Sequence, residues 1–238
     1  MSPLDEYLHD ALRTRSLSDR EFDCVYPADI QRVSRRFWTP LAVAWRAAAR
    51  LDALNVTRVL DIGSGPGKFC IVAAAQAPHI TFIGVEQRLH LVEAAREASS
   101  RMRTSNARFT VGDATRARLD QFDAVYLFNP FAENVFDENE RVDSTVELSL
   151  DRYRRDLWRV RTALGAARIG TIVLTYHGFG APLPRGYECL DAEPVGSDRL
   201  CIWRRTRDAA IAAPCLSPVN EGGWTTDLDR SAGPGDER

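Results

Sequence analysis

Residues 60–69, LDIGSGPGKF, contain three glycines where an apolar segment, TRVLDI, leads into a helical segment over residues 66–76. This pattern predicts a buried strand, a tight turn and a helix. A P-loop would need glycine at position 62 and serine or threonine at 69, where Ile62 and Phe69 stand. A dinucleotide-binding fingerprint would need a third glycine at position 68, which is Lys68. The spacing therefore fits neither of these loops.

Further along the chain, polar residues follow three more apolar segments that predict strands. The segment ITFIGVE ends in Glu86, ARFTVGD ends in Asp113, and DAVYLFNP ends in Asn129-Pro130. Alternation of these strands with helices predicts an α/β fold, a doubly wound and mostly parallel sheet. Ligands of such sheets bind at the carboxyl ends of the strands, so we expect these residues to share one site.

The glycine spacing and these strand ends resemble the class I, Rossmann-like S-adenosylmethionine-dependent methyltransferases over roughly residues 55–205. The resemblance implies S-adenosyl-L-methionine as cofactor, with Asp61 near its positive charges, Glu86 on the ribose, and Asp113 and Ala114 on the adenine. Because this cofactor carries no phosphate, Lys68 is expected to be a solvated residue of the first helical turn. The cofactor-binding set implied is Asp61, Gly63, Ser64, Gly65, Gly67, Glu86, Gln87, Asp113, Ala114 and Asn129.

The stretch Asn129-Pro130-Phe131 is similar to the Asn/Asp-Pro-Pro-aromatic sequence of amine- and amide-directed methyltransferases, with one proline in place of two. That similarity implies catalytic roles for all three residues and a nitrogen acceptor. The same region has a shorter likeness to the non-SET histone-lysine methyltransferases. The alternative is a plain turn after a strand, with Phe131 in the core.

Four other residues are candidates for contact with cofactor or substrate. Tyr26, Trp38 and Thr39 precede the first strand, and Phe37 and Trp38 could equally pack the entering helix. His177 could act as a base near neutral pH, or could simply be an exposed loop residue.

The function predicted is methyl transfer to a small-molecule or protein acceptor in the cytoplasm. A non-catalytic S-adenosylmethionine-binding protein and a nicotinamide-dependent oxidoreductase are the alternatives. A nucleic-acid acceptor ranks lower, because the net charge is −2 and no strongly basic domain is present. No apolar stretch approaches the roughly 20 residues of a membrane span. Five widely spaced cysteines without a CxxC pair argue against a disulfide framework or a metal site.

Three regions are expected along the chain. Residues 1–54 form an N-terminal helical cap with a helix starting at Ser2-Pro3, a polar stretch, and a second helix starting at Thr39-Pro40. Residues 55–205 form a seven-stranded domain whose last two strands pair antiparallel. Residues 206–238 form a flexible tail that Trp224 could anchor. One long amphipathic helix is predicted from the apolar positions Val146, Leu150, Tyr153, Leu157, Val160 and Leu164.

Overall fold

Seven strands form the centre of the protein: β1 (Arg58–Ile62), β2 (Thr81–Glu86), β3 (Ala107–Val111), β4 (Ala124–Phe128), β5 (Ile172–Tyr176), β6 (Tyr187–Val195) and β7 (Asp198–Arg205). They make one sheet in the order β3-β2-β1-β4-β5-β7-β6. The computed structural model describes residues 2–207. Strands β1 to β5 run parallel, while β7 pairs antiparallel with both β5 and β6. The predicted sheet is thereby confirmed.

Helices cover both faces of the sheet. Alternate strand residues point to opposite sides, so Val59 and Tyr126 join one apolar cluster while Leu60 and Val125 join the other. The helices are α1 (Pro3–Arg13), α2 (Asp19–Asp23), α3 (Ala28–Phe37), α4 (Leu41–Ala53), α5 (Lys68–Gln76), α6 (Leu89–Arg101) and α7 (Leu150–Gly165). The first cluster includes residues of α4, α5 and α6, and the second includes residues of α7.

The N-terminal region contains more helix than the sequence predicted. Ser2 caps α1 as expected, but the polar stretch forms two further helices, α2 and α3. Helix α2 begins with a capping box in which Ser18 and Glu21 satisfy each other's backbone N–H groups. This box is visible in the sequence as S-x-x-E, but it precedes no apolar run and was missed.

Three helix starts differ from the prediction. Helix α4 begins at Leu41, whose N–H donates to Asp19 Oδ1 at 3.0 Å, so Thr39 does not cap it. Helix α5 begins at Lys68 because Gly67 adopts a left-handed conformation, φ +77°. Val146 lies before α7, which Ser149 caps through its hydroxyl.

Residues 208–238, with Cys215 and Trp224, lie outside the described residues, so the predicted tail stays a prediction. Within residues 2–207, no helix is both long and apolar enough to cross a membrane.

Candidate functional site

A cavity of about 400 Å³ opens at the carboxyl ends of β1 to β4. The turns that follow these strands form its floor, and α3 and the segment after β4 form its rim. The structure brings together in this cavity the predicted residues Gly63, Glu86, Gln87, Asp113, Ala114, Asn129, Pro130 and Phe131. Its volume falls at the lower end of the range for sites that hold one small molecule.

Glu86 is the carboxylate at the end of β2, and it is only 6% exposed. One of its oxygens accepts a hydrogen bond from the N–H of Gly65 at 3.2 Å, and the other accepts from the N–H of Arg88 at 3.0 Å. These bonds fix the carboxylate between the glycine loop and the start of α6. A carboxylate oxygen has a second lone pair, so Glu86 can still accept hydrogen bonds from a ligand in the cavity.

Asp113 follows β3 and caps a short turn that begins at Ala114. Its Oδ1 accepts hydrogen bonds from the N–H and the hydroxyl of Thr115 at 3.0 and 2.6 Å. Partial burial acts to raise the pKa of Asp113, but these hydrogen bonds and the charges of Arg159 and Arg116 hold it below its ordinary value. The side chain is therefore an anion at the edge of the cavity.

The glycine loop does not line this cavity along its whole length. Asp61 and Ser64 face a second, small space of about 20 Å³, which Trp38 and Thr39 also line. Gly65 lies under the Trp38 ring, where a Cβ would come within 2.6 Å of that ring. Gly67 packs against Phe109 and lines neither space. Of the loop residues, Gly63 alone lines both spaces.

Asp61 is buried at the end of β1, where the Cys70 thiol lies 3.5 Å from its Oδ2 and donates to it. Burial raises the pKa of Asp61 to about 7, the Cys70 hydrogen bond opposes that shift, and the charge of Glu86 adds to it. Lys68 lines the same small space, but its ammonium pairs with Asp19 and Asp23, and the groups that act on Asp61 are the Cys70 thiol and Glu86. Within residues 2–207, the buried Ser64 hydroxyl has no hydrogen-bond partner. A carboxylate without a cation and an unpaired hydroxyl suit a ligand group with positive charge and polar hydrogens.

The structure contradicts the prediction that Lys68 is solvated. Its side chain is 2% exposed rather than solvated, and its Nζ lies 2.7 Å from Asp19 Oδ1 and 2.8 Å from Asp23 Oδ1. The prediction was wrong because both carboxylates come from α2, a helix that the sequence did not indicate. A buried lysine requires such partners.

For Asn129 and Phe131, the sequence left two interpretations open: a role in the site, or a plain turn with Phe131 in the core. Each residue has features of both. Asn129 has φ +39°, and its carbonyl accepts a hydrogen bond from the N–H of Ala132 at 3.2 Å, so it does form a turn. Asn129 nevertheless lines the cavity. Phe131 is 7% exposed and belongs to the core, yet it also lines the cavity. Pro130 lies over Gly63, 3.2 Å from where a Cβ there would stand.

Of the remaining candidate residues, two line the site and two do not. Trp38 lines both spaces and Thr39 the small one, where its hydroxyl lies 3.0 Å from that of Tyr126. Tyr26 is buried and lines neither space. His177 also lines neither, and its Nδ1 lies 2.9 Å from Asp198. Burial lowers the pKa of His177, and Asp198 opposes that shift.

Sequence reasoning missed the charged groups that hold the rim. Buried Arg88 binds Glu133 at 2.8 Å and Asp143 at 3.0 Å, which ties the segment after β4 to the end of β2. Across the mouth, Arg36 of α3 binds Glu140 at 2.7 Å. These pairs join residues far apart in the chain, and no local pattern identifies them.

The fold and the cavity together define a class of protein. A glycine turn after β1, a carboxylate ending β2 and a polar turn after β4 surround one ligand cavity in a sheet with a reversed seventh strand. Residues 55–149 match the methyltransferase domain family. Over these residues, which make up less than half of the chain, the protein matches the class I, S-adenosylmethionine-dependent methyltransferases, and S-adenosylmethionine is the cofactor of that family.

Known proteins agree with this class. A demethylmenaquinone methyltransferase of Deinococcus radiodurans is 32% identical over 96 residues, which cover 37% of this chain and 39% of that protein. A Thermus thermophilus protein named TrmN aligns with TM-score 0.51 and 22% identity, over 73% of this chain and 51% of that one. A Geobacter sulfurreducens methyltransferase aligns with TM-score 0.50 and 16% identity, over 74% and 88% of the two chains. The two structures support the fold alone.

Proposed function

We propose that this protein transfers a methyl group from S-adenosylmethionine to a nitrogen atom of a small-molecule or protein acceptor. One observation carries the proposal: Gly63, Glu86, Asp113 and Asn129, each at the end of a different parallel strand, line a single cavity. The match to the curated relative covers little more than a third of that protein, so it supports the cofactor and not the acceptor.

The residues around the cavity suit the different parts of the cofactor. Glu86 would accept the ribose hydroxyls, while Asp113 and the backbone at Ala114 would contact the adenine. Asp61 and Ser64 would serve the amino-acid end, where an ammonium would supply the cation that Asp61 lacks. When bound, the cofactor supplies an electrophilic methyl group on a sulfonium.

Asn129 is the residue best placed to orient an acceptor. Its Oδ1 would accept a hydrogen bond from an N–H of the acceptor, which turns the nitrogen lone pair toward the methyl group. The nitrogen becomes positively charged as the bond forms, and a carbonyl oxygen stabilises such charge. Phe37, Phe128 and Phe131 form an apolar wall that would exclude water from the reacting atoms.

Isothermal titration calorimetry with S-adenosylhomocysteine and with NAD⁺ tests the cofactor assignment. We expect S-adenosylhomocysteine to bind and NAD⁺ not to bind. A preference for NAD⁺ would contradict the proposal and favour an oxidoreductase.

A labelling experiment tests the reaction. S-adenosylmethionine with a tritiated methyl group would be incubated with the protein and a panel of amines, peptides and oxygen nucleophiles. We expect label to transfer to nitrogen compounds. Cofactor binding without transfer to any acceptor would instead support a non-catalytic binding protein.

A further inference from the structure

A buried ion cluster attaches the N-terminal helices to the glycine loop. Lys68, the only lysine in the chain, is the first residue of α5, directly after Gly67. Besides its ion pairs with Asp19 and Asp23, its Nζ lies 3.4 Å from the Ser34 hydroxyl. All three partners come from α2 and α3. The position of these helices therefore depends on a group that adjoins the cofactor loop.

Asp19 extends this attachment to a third helix. The same Oδ1 that binds Lys68 accepts the N–H of Leu41, the first residue of α4. The residue before α4, Pro40, provides no side-chain cap. One carboxylate thus holds α2, α4 and α5 together, and residues 38–40 form the corner between α3 and α4.

Trp38 stands at this corner and touches the glycine loop. Its indole N–H donates to the Ile30 carbonyl at 3.1 Å, and its ring covers Gly65. The side chain is 8% exposed and lines both the main cavity and the small space beside Asp61. With Phe37, Gly63 and Phe128, it therefore forms the wall between the larger part of the site and the carboxylate at the end of β1.

We propose that Lys68 is a positioning residue for the cofactor. Acting through Asp19 and the corner, it holds Trp38 as the wall of the site at the amino-acid end of S-adenosylmethionine. The inference rests on the proposed function. It has a specific consequence, because Trp38 lines the small space beside Asp61, whereas Glu86 and Asp113 line only the main cavity.

Two ligands allow the amino-acid end and the adenosine end of the site to be tested separately. S-adenosylhomocysteine carries the amino-acid tail, whereas 5′-methylthioadenosine carries the adenosine and sulfur without it. We expect Lys68→Met and Asp19→Asn to weaken S-adenosylhomocysteine about 5-fold or more, a loss of about 1 kcal/mol. The affinity for 5′-methylthioadenosine should stay within about 2-fold of wild type. Trp38→Ala should give the same selective loss.

Calorimetric dissociation constants for both ligands, measured on the full chain, test the positioning role of Lys68. Asp19→Asn is the safer variant, because Asp19 is half-exposed whereas Lys68→Met leaves Asp23 buried without its cation. Asp5→Asn is the matched control, because it breaks an ion pair between α1 and Arg101 of α6 without touching the corner. That control should leave the ratio of the two affinities at its wild-type value.

Equal losses for the two ligands, or no loss in Asp19→Asn, would overturn the positioning role. Equal losses would show that the cluster only supports the fold. If the wild-type protein binds neither ligand, the proposed function itself fails, and the two failures are thereby distinguished.

Discussion

At the scale of single residues, the site contains two carboxylates whose pKa values are shifted in opposite directions. Asp113 is hydrogen-bonded and near two arginines, so its pKa is lowered. Asp61 is buried beside Glu86, and its pKa is raised to about 7, mainly by burial. A cationic ligand group would lower the pKa of Asp61 and favour its ionised form, whereas Asp113 is an anion without a ligand.

Asp61 should make the stability of the protein depend on pH. Its folded-state pKa lies above the ordinary aspartate value, so between about pH 4 and pH 7 the folded state binds more protons than the unfolded state. The free energy of unfolding should therefore fall as pH rises through this window. Asp61→Asn removes this dependence, so the variant should gain up to about 3 kcal/mol relative to wild type between about pH 5 and pH 8.

Urea unfolding of the wild-type protein and of Asp61→Asn, without ligand, at about pH 5 and pH 8, measures this difference in the free energy of unfolding. A stability difference that is the same at both pH values would show that the carboxylate is ionised throughout.

Glu86 should contribute directly to cofactor affinity. Losing the hydrogen bonds of a buried charged group costs about 1.5–3 kcal/mol, so Glu86→Ala should weaken S-adenosylhomocysteine about 10- to 150-fold. Glu97→Ala is the matched control, because Glu97 is an exposed glutamate on α6. Unchanged affinity in Glu86→Ala, measured by calorimetry, would remove Glu86 from the site.

Asn129 should affect turnover rather than cofactor binding. Asn129→Ala removes a hydrogen bond to a nitrogen that becomes charged, so kcat should fall about 10- to 150-fold while the S-adenosylhomocysteine affinity is retained. Asn129→Asp keeps a hydrogen-bond acceptor and should retain more activity than the alanine variant. Full activity in Asn129→Ala would leave Asn129 as a turn residue only.

At the scale of elements, two segments from distant parts of the chain meet over the cavity. Arg36 of α3 binds Glu140 and lies 5.3 Å from the centre of the Phe136 ring, while Phe37 packs against the same ring. These contacts join the N-terminal cap to the segment after β4. The mouth of the cavity is thereby bridged by groups that are partly exposed.

Breaking this bridge should change ligand kinetics more than stability. An exposed ion pair contributes about 0–1 kcal/mol, so Arg36→Ala should change the free energy of unfolding by about that amount. We expect S-adenosylhomocysteine to dissociate faster, because one support of the mouth is lost. Arg50→Ala is the matched control, since Arg50 is equally exposed and binds Asp191 at 2.6 Å outside the cavity. The measurement is the stopped-flow dissociation rate of S-adenosylhomocysteine. Equal rates in Arg36→Ala and Arg50→Ala would contradict a role of Arg36 in supporting the mouth.

The elements of the sheet were predictable, because each strand has a short apolar run between turn residues. Their carboxyl-terminal residues could be placed in one site because parallel strands bring these ends to the same edge. Helices α2 and α3 were not predictable in the same way. Their buried residues, such as Phe22 and Ile30, are few and lie among charged neighbours.

The error at Lys68 has a related origin. Its partner Asp23 is 45 residues away in the chain, and Arg36 and Glu140 are 104 residues apart. Local patterns indicate what a residue can do, but such pairs follow only from how the cap folds onto the sheet.

At the scale of the whole molecule, the protein combines a methyltransferase sheet with an N-terminal cap that contributes to the ligand site. In the proposed function, the sheet would provide the residues at the adenosine end and Asn129. The cap provides Trp38 and, through Lys68, a buried attachment to the loop after β1. The main cavity has room for about one small ligand, so an acceptor would reach the methyl group through the mouth near Arg36.

A crystal structure of the protein with S-adenosylhomocysteine tests the central claim most directly. We expect the ribose hydroxyls on Glu86, the adenine beside Asp113 and Ala114, and the sulfur facing Asn129. The ligand bound elsewhere, or the cavity at the ends of β1 to β4 left without it at saturating concentration, would contradict the account.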